Sequence, residues 1–537
     1  MNDPDTPGVP IEPVLPLHEI QGIAVPGFFK PHQTLLGLTL PSRQAVLNFR
    51  QLLSGWPISN GEETLLDRRH HREREQGRRG AKTEEFKAAV LTAVGFTYAG
   101  LSKLTPSAWM IPSEAYRVGL AVRSALLGDP TEPGSKGHPA HWKVGGPDNP
   151  VDAMFILAGN ERSPVDDEAR RLRERLIGWG VEIVYEEAGD VRSDLKGHEH
   201  FGFDDGVSQP GIRGRTNVAP NDFITPRHIG KAEPEAHLFG FPGQDLIWPG
   251  EIVLGHPSTS PDPLIPGVTT APIPTWTQNG SFLVFRRLQQ DVGLFWRTMR
   301  DKAQALNTVS GFAGMTAERL AALLVGRWAS GAPINRVPLA DNSDLGNRRL
   351  ANNHFRFDSD SAMLPLKSGY RDPFPLAKAD PAGVTCPWAA HIRKVNTRDS
   401  ASDLGGRDST YMRRILRVGV PFGEPLEDKY ATLDQDPLQG DRGLLFLCVQ
   451  SSIEQQFEFL VSRWMGDASR PKMPGGHDML VGQNDTPGEG RMRRCVLFGE
   501  RAQQALLEID AQWIMPTGGE YFFLPSLTSL RKVLASS

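Results

Sequence analysis

The sequence predicts an α+β fold in two halves, each a sheet backed by helices. Two observations carry this. A strand–helix–strand pattern occurs twice, around residues 151–185 and again around residues 443–524, and a chain of 537 residues exceeds what one hydrophobic core ordinarily organises. A third observation separates the halves: residues 211–274 are rich in Pro and Gly and carry no sustained periodicity.

The elements follow in chain order. Residues 1–16 are rich in Pro and Asp and read as part of a disordered arm over residues 1–18. The run 67–82 alternates in sign through Arg68, Arg69, His70, His71, Arg72, Glu73, Arg74 and Glu75, the pattern of a solvated helix face. Residues 151–158 are a continuous apolar run, hence a buried strand. Ser163 is expected to cap the next helix, with Pro164 at its first position and Asp166 completing a capping-box spacing. Ala169, Leu172 and Leu176 fall on one helical face, Gly178 and Gly180 end the helix, and residues 181–185 form a second strand. The second half opens with a strand over 279–288 and a helix over 289–299. A strand over 413–418 runs into the turn Gly419-Val420-Pro421-Phe422-Gly423, followed by a strand over 443–449, a helix over 453–465 and a closing strand over 521–524.

Bulk properties exclude several classes. Hydrophobic residues make up 39% and charged residues 23%, as in a globular protein, and a net charge of −4 gives no field that would favour nucleic acid or an anionic membrane. The 3 cysteines are widely spaced and odd in number, against a disulfide framework or zinc knuckle; Cys448 and Cys495 sit in apolar runs and read as buried thiols. No apolar run approaches the roughly 20 residues that cross a bilayer. The N-terminus has neither a basic region nor an apolar core, so the expected location is cytoplasmic.

Three segments hold residues suited to haem chemistry. His391 is one of 14 histidines, but it follows the small apolar Cys386-Pro387-Trp388-Ala389-Ala390 and precedes Arg393, Lys394 and Arg398. An axial imidazole with apolar neighbours and cations for two propionates fits that pattern; a core or surface histidine beside solvated cations fits it too. Arg417 shares a strand face with Arg413 and Ile415. A fixed cation there would stabilise a peroxide anion, and a structural ion pair is the alternative. Asp205 lies in Gly202-Phe203-Asp204-Asp205-Gly206, where glycines would let the backbone approach a flat ring and a carboxylate would move protons; an Asp-Asp-Gly turn competes. His198 and His200 lack a third metal ligand at convincing spacing. Leu444 and Phe446 read either as a pocket roof or as plain core.

Taken together, these motifs resemble the dye-decolourising peroxidases, most closely the long, fungal-like branch. Gly202-Phe203-Asp204-Asp205-Gly206 is similar to the family's Gly-x-x-Asp-Gly signature. The segment from Cys386 to Lys394 resembles the proximal haem segment, and Arg417 the distal arginine. Supporting matches lie in Gly95-Phe96-Thr97-Tyr98, Asn279-Gly280-Ser281 and Gly518-Gly519-Glu520-Tyr521-Phe522-Phe523. The resemblance implies two ferredoxin-like domains with antiparallel sheets, here residues 19–245 carrying the distal Asp and residues 246–537 binding the cofactor. It implies one haem b per chain with His391 as iron ligand, Asp205 and Arg417 as catalytic pair, and Gly206, Val207, Ser208, Asn396, Thr397, Arg398, Arg417, Leu444 and Phe446 around the ring. The family usually has Asn-Pro-Arg where this chain has Asn396-Thr397-Arg398, which bears on the local loop shape. The implied activity is the use of hydrogen peroxide to oxidise dyes, phenolic and other aromatic reductants by one-electron steps. A proton-relay aspartate implies an acidic optimum. Two rival readings use the same residues: a non-enzymatic haem carrier, which needs His391 alone, and a haem protein that acts on the porphyrin itself and releases iron.

Overall fold

The structure, a computed structural model, describes residues 11–75, 90–219, 221–473, 475–484 and 491–536. The expected α+β fold is present. Nine strands form one sheet: β1 (His32–Thr39), β2 (Leu91–Phe96), β3 (Ala153–Gly159), β4 (Glu182–Asp190), β5 (Ser281–Gln290), β6 (Leu416–Arg417), β7 (Val420–Phe422), β8 (Gly443–Gln450) and β9 (Ile514–Leu524). The order is β6-β8-β5-β9-β2-β3-β1-β4, with β7 also on β8, and every pairing is antiparallel. Strands from before residue 191 occupy one side of the sheet and strands from after residue 280 the other. They join through a single pair, Phe523 opposite Phe96.

Alternation along the strands sends side chains into two cores. Leu36, Phe155 and Phe523 pack on one face against Phe49 and Leu52 of helix Arg43–Gly55, Leu172 of helix Arg162–Gly178 and Phe457 of helix Ile453–Met465. Leu35, Ile156, Phe285, Leu445 and Phe522 face the other way, onto Ile20, Ile23, Ile247 and Val253. Full burial of such side chains contributes about 1.5–3 kcal/mol each, so both faces hold the sheet. A third core joins helices Val292–Leu306 and Ala317–Val325 to Cys386, Ala389 and Ala390.

Several expectations shift. The arm expected over 1–18 is packed from residue 11: Leu15 and Leu17 are buried, and buried Glu12 pairs with Arg213 and Arg227; residues 1–10 lie outside the described residues. The charged run 67–82 belongs to helix Gly61–Glu75 as far as residue 75, and its remainder lies outside the described residues. The helix expected to begin at Pro164 with Ser163 as its cap starts at Arg162 with Glu161 as its cap. Pro164 therefore stands within the first turn, where a missing N–H costs nothing because those groups have no helical acceptor; Arg162 is held by Asp190 and Thr34. The single strand expected over 413–418 is a short helical turn, Arg407–Arg413, followed by β6 and then β7. Gly419 interrupts the two strands because the backbone presses on β8: a Cβ there would sit 2.5 Å from the Leu445 carbonyl oxygen. All three cysteines are buried and unpaired. Among the described residues no helix is long and apolar enough to cross a membrane.

The two ends of the sheet meet. A Cβ at Gly189, near the end of β4, would lie 2.3 Å from Val420 Cγ1 on β7. The loop leaving β4, residues 191–210, is thereby laid against β6 and β7.

Candidate active site

That juxtaposition makes one wall of a cavity of about 290 Å³. The loop carries Asp205, and Arg417 ends β6 opposite it. His391 opens the short helix His391–Val395 on another wall, and Leu444 and Phe446 project from β8. Leu444 and Phe446 are half-buried while Leu445 and Leu447 between and beyond them are fully buried, so alternation along β8 puts the former pair on the cavity and the latter in the core. Gly206, Val207, Ser208, Asn396 and Arg398 also line the cavity. Thr397 does not: it is fully buried away from the cavity, with its hydroxyl unpartnered. Its neighbours Asn396 and Arg398 take the cavity wall, and Arg398 turns the chain with a φ of +53°.

His391 is anchored from behind. Its Nδ1 lies 2.7 Å from Oδ2 of Asp478, a fully buried side chain whose Oδ1 accepts the N–H groups of Leu480 and Val481, each at 3.0 Å. Burial drives the Asp478 carboxyl up, but the facing imidazole and the two N–H donors hold it below the ordinary range. An ionised carboxylate only accepts, so the Nδ1 proton belongs to the histidine and Nε2 keeps a free lone pair. Arg393 and Lys394 do not reach the cavity as expected for propionate partners. Arg393 is fully buried, donating to the Cys386 and Asp380 carbonyls and stacking 4.0 Å over Trp388, and Lys394 donates to the carbonyls of Asp467, Arg470 and Gly476. A helix of five residues turns each successive side chain by about 100°, which points these two inward as staples. The cavity's cations are instead Arg286, Arg327, Arg398, Arg413, Arg414 and Arg417.

Asp205 faces the cavity with 38% of its side chain accessible. Its Oδ1 accepts from Arg417 Nη1 at 2.8 Å and from the Gly206 N–H at 2.7 Å. Enclosure pushes the carboxyl up, and the Arg417 guanidinium with the Gly206 N–H pulls it below the ordinary range. Its neighbour behaves oppositely: burial raises the Asp204 carboxyl to about 6. Gly202 and Gly206 have φ of +95° and +80°, and a Cβ on Gly202 would meet nothing within 4 Å, so the left-handed turn explains these glycines. Glu199 braces the same loop, accepting from the N–H groups of Phe201 and Phe203 and from Gln290. Burial raises its carboxyl. His200 is buried and bonds the Phe422 carbonyl, and no metal-holding cluster forms among the described residues.

Sequence reasoning did not find Asp478, Glu199 or Gln209. Asp478 lies 87 residues from its histidine in a Gly-Gly-His-Asp turn without a recognisable signal.

The residues present suit haem. One imidazole nitrogen is anchored and the other has no partner among the described residues; the walls bring Leu444, Phe446, Ile392 and Val325; and buried Arg398 and Arg414 supply charge for carboxylates.

No family model matches the chain. It is 32% identical over 423 residues to the dye-decolorizing peroxidase msp1 of Mycetinis scorodonius, covering 77% of this chain and 71% of that protein. It is 30% identical over 451 residues to the multifunctional dye peroxidase DyP2 of Amycolatopsis sp., covering 82% and 81%. Among solved structures it matches an ancestral D-type dye-decolorizing peroxidase at 30% identity with a TM-score of 0.73, over 97% of this chain and 100% of that one.

Proposed function

The chain belongs to the dye-decolourising peroxidase family, in its fungal-like branch, and on that premise we propose that His391, Asp205 and Arg417 divide the work of its haem site among them. As a member of the family it is a haem enzyme that uses peroxide to oxidise dyes and aromatic compounds. We propose one haem b per chain, with His391 Nε2 as iron ligand, and aromatic reductants that include phenols. We also propose the division at residues 245 and 246, supported by the single strand pair that joins the two sides of the sheet.

Haem supplies, when bound, a redox-active iron at which peroxide gains two electrons that are then recovered from reductants one at a time. Asp478 holds the Nδ1 proton of His391 and so makes Nε2 a stronger donor. Ionised Asp205 takes a proton from one oxygen of hydrogen peroxide and returns it to the other, which leaves as water. Arg417 sits 2.8 Å from the same carboxylate and holds negative charge on the peroxide as the O–O bond breaks. A carboxyl held below the ordinary aspartate value of about 3.9 remains a base in acid, which supports an acidic working range.

The observation that carries this reading is the meeting of an anchored imidazole and a carboxylate–guanidinium pair on one cavity from segments about 200 residues apart in sequence. A hemin titration of wild type and His391→Ala tests it. The wild type is expected to give a sharp Soret band at one equivalent. The variant is expected to bind hemin at least about tenfold more weakly; an unaltered band and affinity in the variant would move the ligand elsewhere. Peroxide consumption with an aromatic reductant by the loaded wild type separates this reading from a haem carrier.

A further inference from the structure

A third side chain, Gln209, ties the loop that carries Asp205 to the strand that carries Arg417. The Asp205 carboxylate accepts from Arg417 Nη1 at 2.8 Å, and Arg417 Nη2 donates to the Ser208 carbonyl at 3.1 Å. Those contacts hold only the guanidinium. One residue further on, the Gln209 amide reaches the root of the same arginine: Nε2 donates to the Arg417 carbonyl at 3.1 Å, and Oε1 accepts the Arg417 N–H at 3.2 Å. A primary amide offers one donor and one acceptor in the geometry of a peptide, so Gln209 pairs with the free edge of β6 as a neighbouring strand would.

This clasp is one of several holds on β6. β6 is already held on its other edge by β8, with Arg417 opposite Cys448, the Val418 N–H bonds the Leu447 carbonyl at 2.8 Å, and Gln33 Nε2 donates to the Val418 carbonyl at 3.0 Å. What the clasp adds is register. Backbone and side chain of Arg417 are both tied to residues 205–209, so loop and strand move together. Gln209 also stands between the site cavity and a second cavity of about 320 Å³ outside it, lined by Phe29, Lys30 and His198.

We infer that Gln209 is a positioning residue for the peroxide reaction: it acts through Arg417, holding the guanidinium in register with Asp205. This rests on the roles given above to Asp205 and Arg417. A displacement near 1 Å in such a pair costs up to about 100-fold in rate.

The test is a double-mutant cycle on the haem-loaded enzyme with Gln209→Leu, Arg417→Leu and the double variant. Two readouts are taken: the second-order rate constant with hydrogen peroxide, and the affinity of the resting haem protein for cyanide followed by its Soret shift, an anion-binding equilibrium without turnover. Gln209→Leu is expected to keep its haem content and thermal midpoint, to react roughly tenfold more slowly and to bind cyanide roughly tenfold more weakly. In the Arg417→Leu background the same change is expected to alter either readout less than about twofold. Gln209→Met, which keeps length without either bond, is expected to match Gln209→Leu and serves if the latter folds poorly. Wild-type values for both Gln209 variants beside a slow Arg417→Leu overturn the inference alone. A tenfold effect that persists in the Arg417→Leu background overturns it too, since Gln209 would then act independently. Wild-type values for Arg417→Leu itself overturn the role assigned to Arg417 instead.

Discussion

The Asp478 carboxylate decides how His391 presents itself. Because an ionised, fully buried carboxylate faces Nδ1 at 2.7 Å, the imidazole is held in one tautomer with partial anionic character. Asp478→Asn removes that charge while keeping the shape. With His391 as the proposed iron ligand, the ferric state, which draws most on an electron-rich ligand, would lose more than the ferrous state, so the haem midpoint potential should rise by roughly 60 mV, the equivalent of a tenfold change in relative affinity at one electron. Redox titration checks this; an unchanged or lower potential would contradict it. That His391, Asp205 and Arg417 share one cavity was legible in the sequence because each sits within a local motif. Asp478 was not, because its meaning arises only from a contact across 87 residues. Arg393 and Lys394 were misplaced for a related reason: a cation beside an apolar segment reads the same whether it points at a cofactor or caps buried carbonyls.

At the level of elements, β8 positions Leu444 and Phe446, and an ion pair fixes its entry. Arg442 forks onto Asp436, both side chains nearly fully buried, and Asp436 also accepts the N–H groups of Leu438 and Gly440. The Arg442 hydrogen bond, more than any other cause, brings the Asp436 carboxyl down to about 2. Its unfolded value is near 3.9. The pair therefore contributes its full stability above about pH 4 and loses it as pH falls toward about 2. Asp436→Asn strands the Arg442 charge and should cost about 3 kcal/mol in urea unfolding at pH 7, with the gap to wild type closing at pH 2. A loss below 1 kcal/mol, or a gap unchanged at low pH, would contradict the assignment. The strand itself was readable from its apolar run. The helix start near Ser163 was read two residues late because capping signals name polar residues and not the tertiary contact, here Arg162 with Asp190, that sets the first turn.

For the whole molecule, the sheet's continuity and its curl are what assemble the site. The two sides join at Phe523 opposite Phe96, and Phe523 is enclosed by Tyr116, Trp276 and Phe282. Phe523→Ala should lower unfolding free energy by about 3–5 kcal/mol; a change under 1 kcal/mol would mean that this aromatic cluster does not hold the seam. Two halves were legible from repeated local patterns. That they share one sheet, whose ends then meet at Gly189 and Val420, was not, because strand order is set by pairings far apart in sequence. Those ends bring Asp205 to Arg417, and the account's central claim is that Asp205 moves the peroxide proton. The pH dependence of the second-order rate constant with hydrogen peroxide, in haem-loaded wild type, Asp204→Asn and Asp205→Asn, tests this most directly. The wild type should lose activity only below the ordinary carboxylate range, Asp204→Asn should keep that limb, and Asp205→Asn should retain haem while reacting about 10²–10⁴-fold more slowly without it. An Asp205→Asn enzyme within twofold of wild type, with the acid limb intact, would contradict the claim.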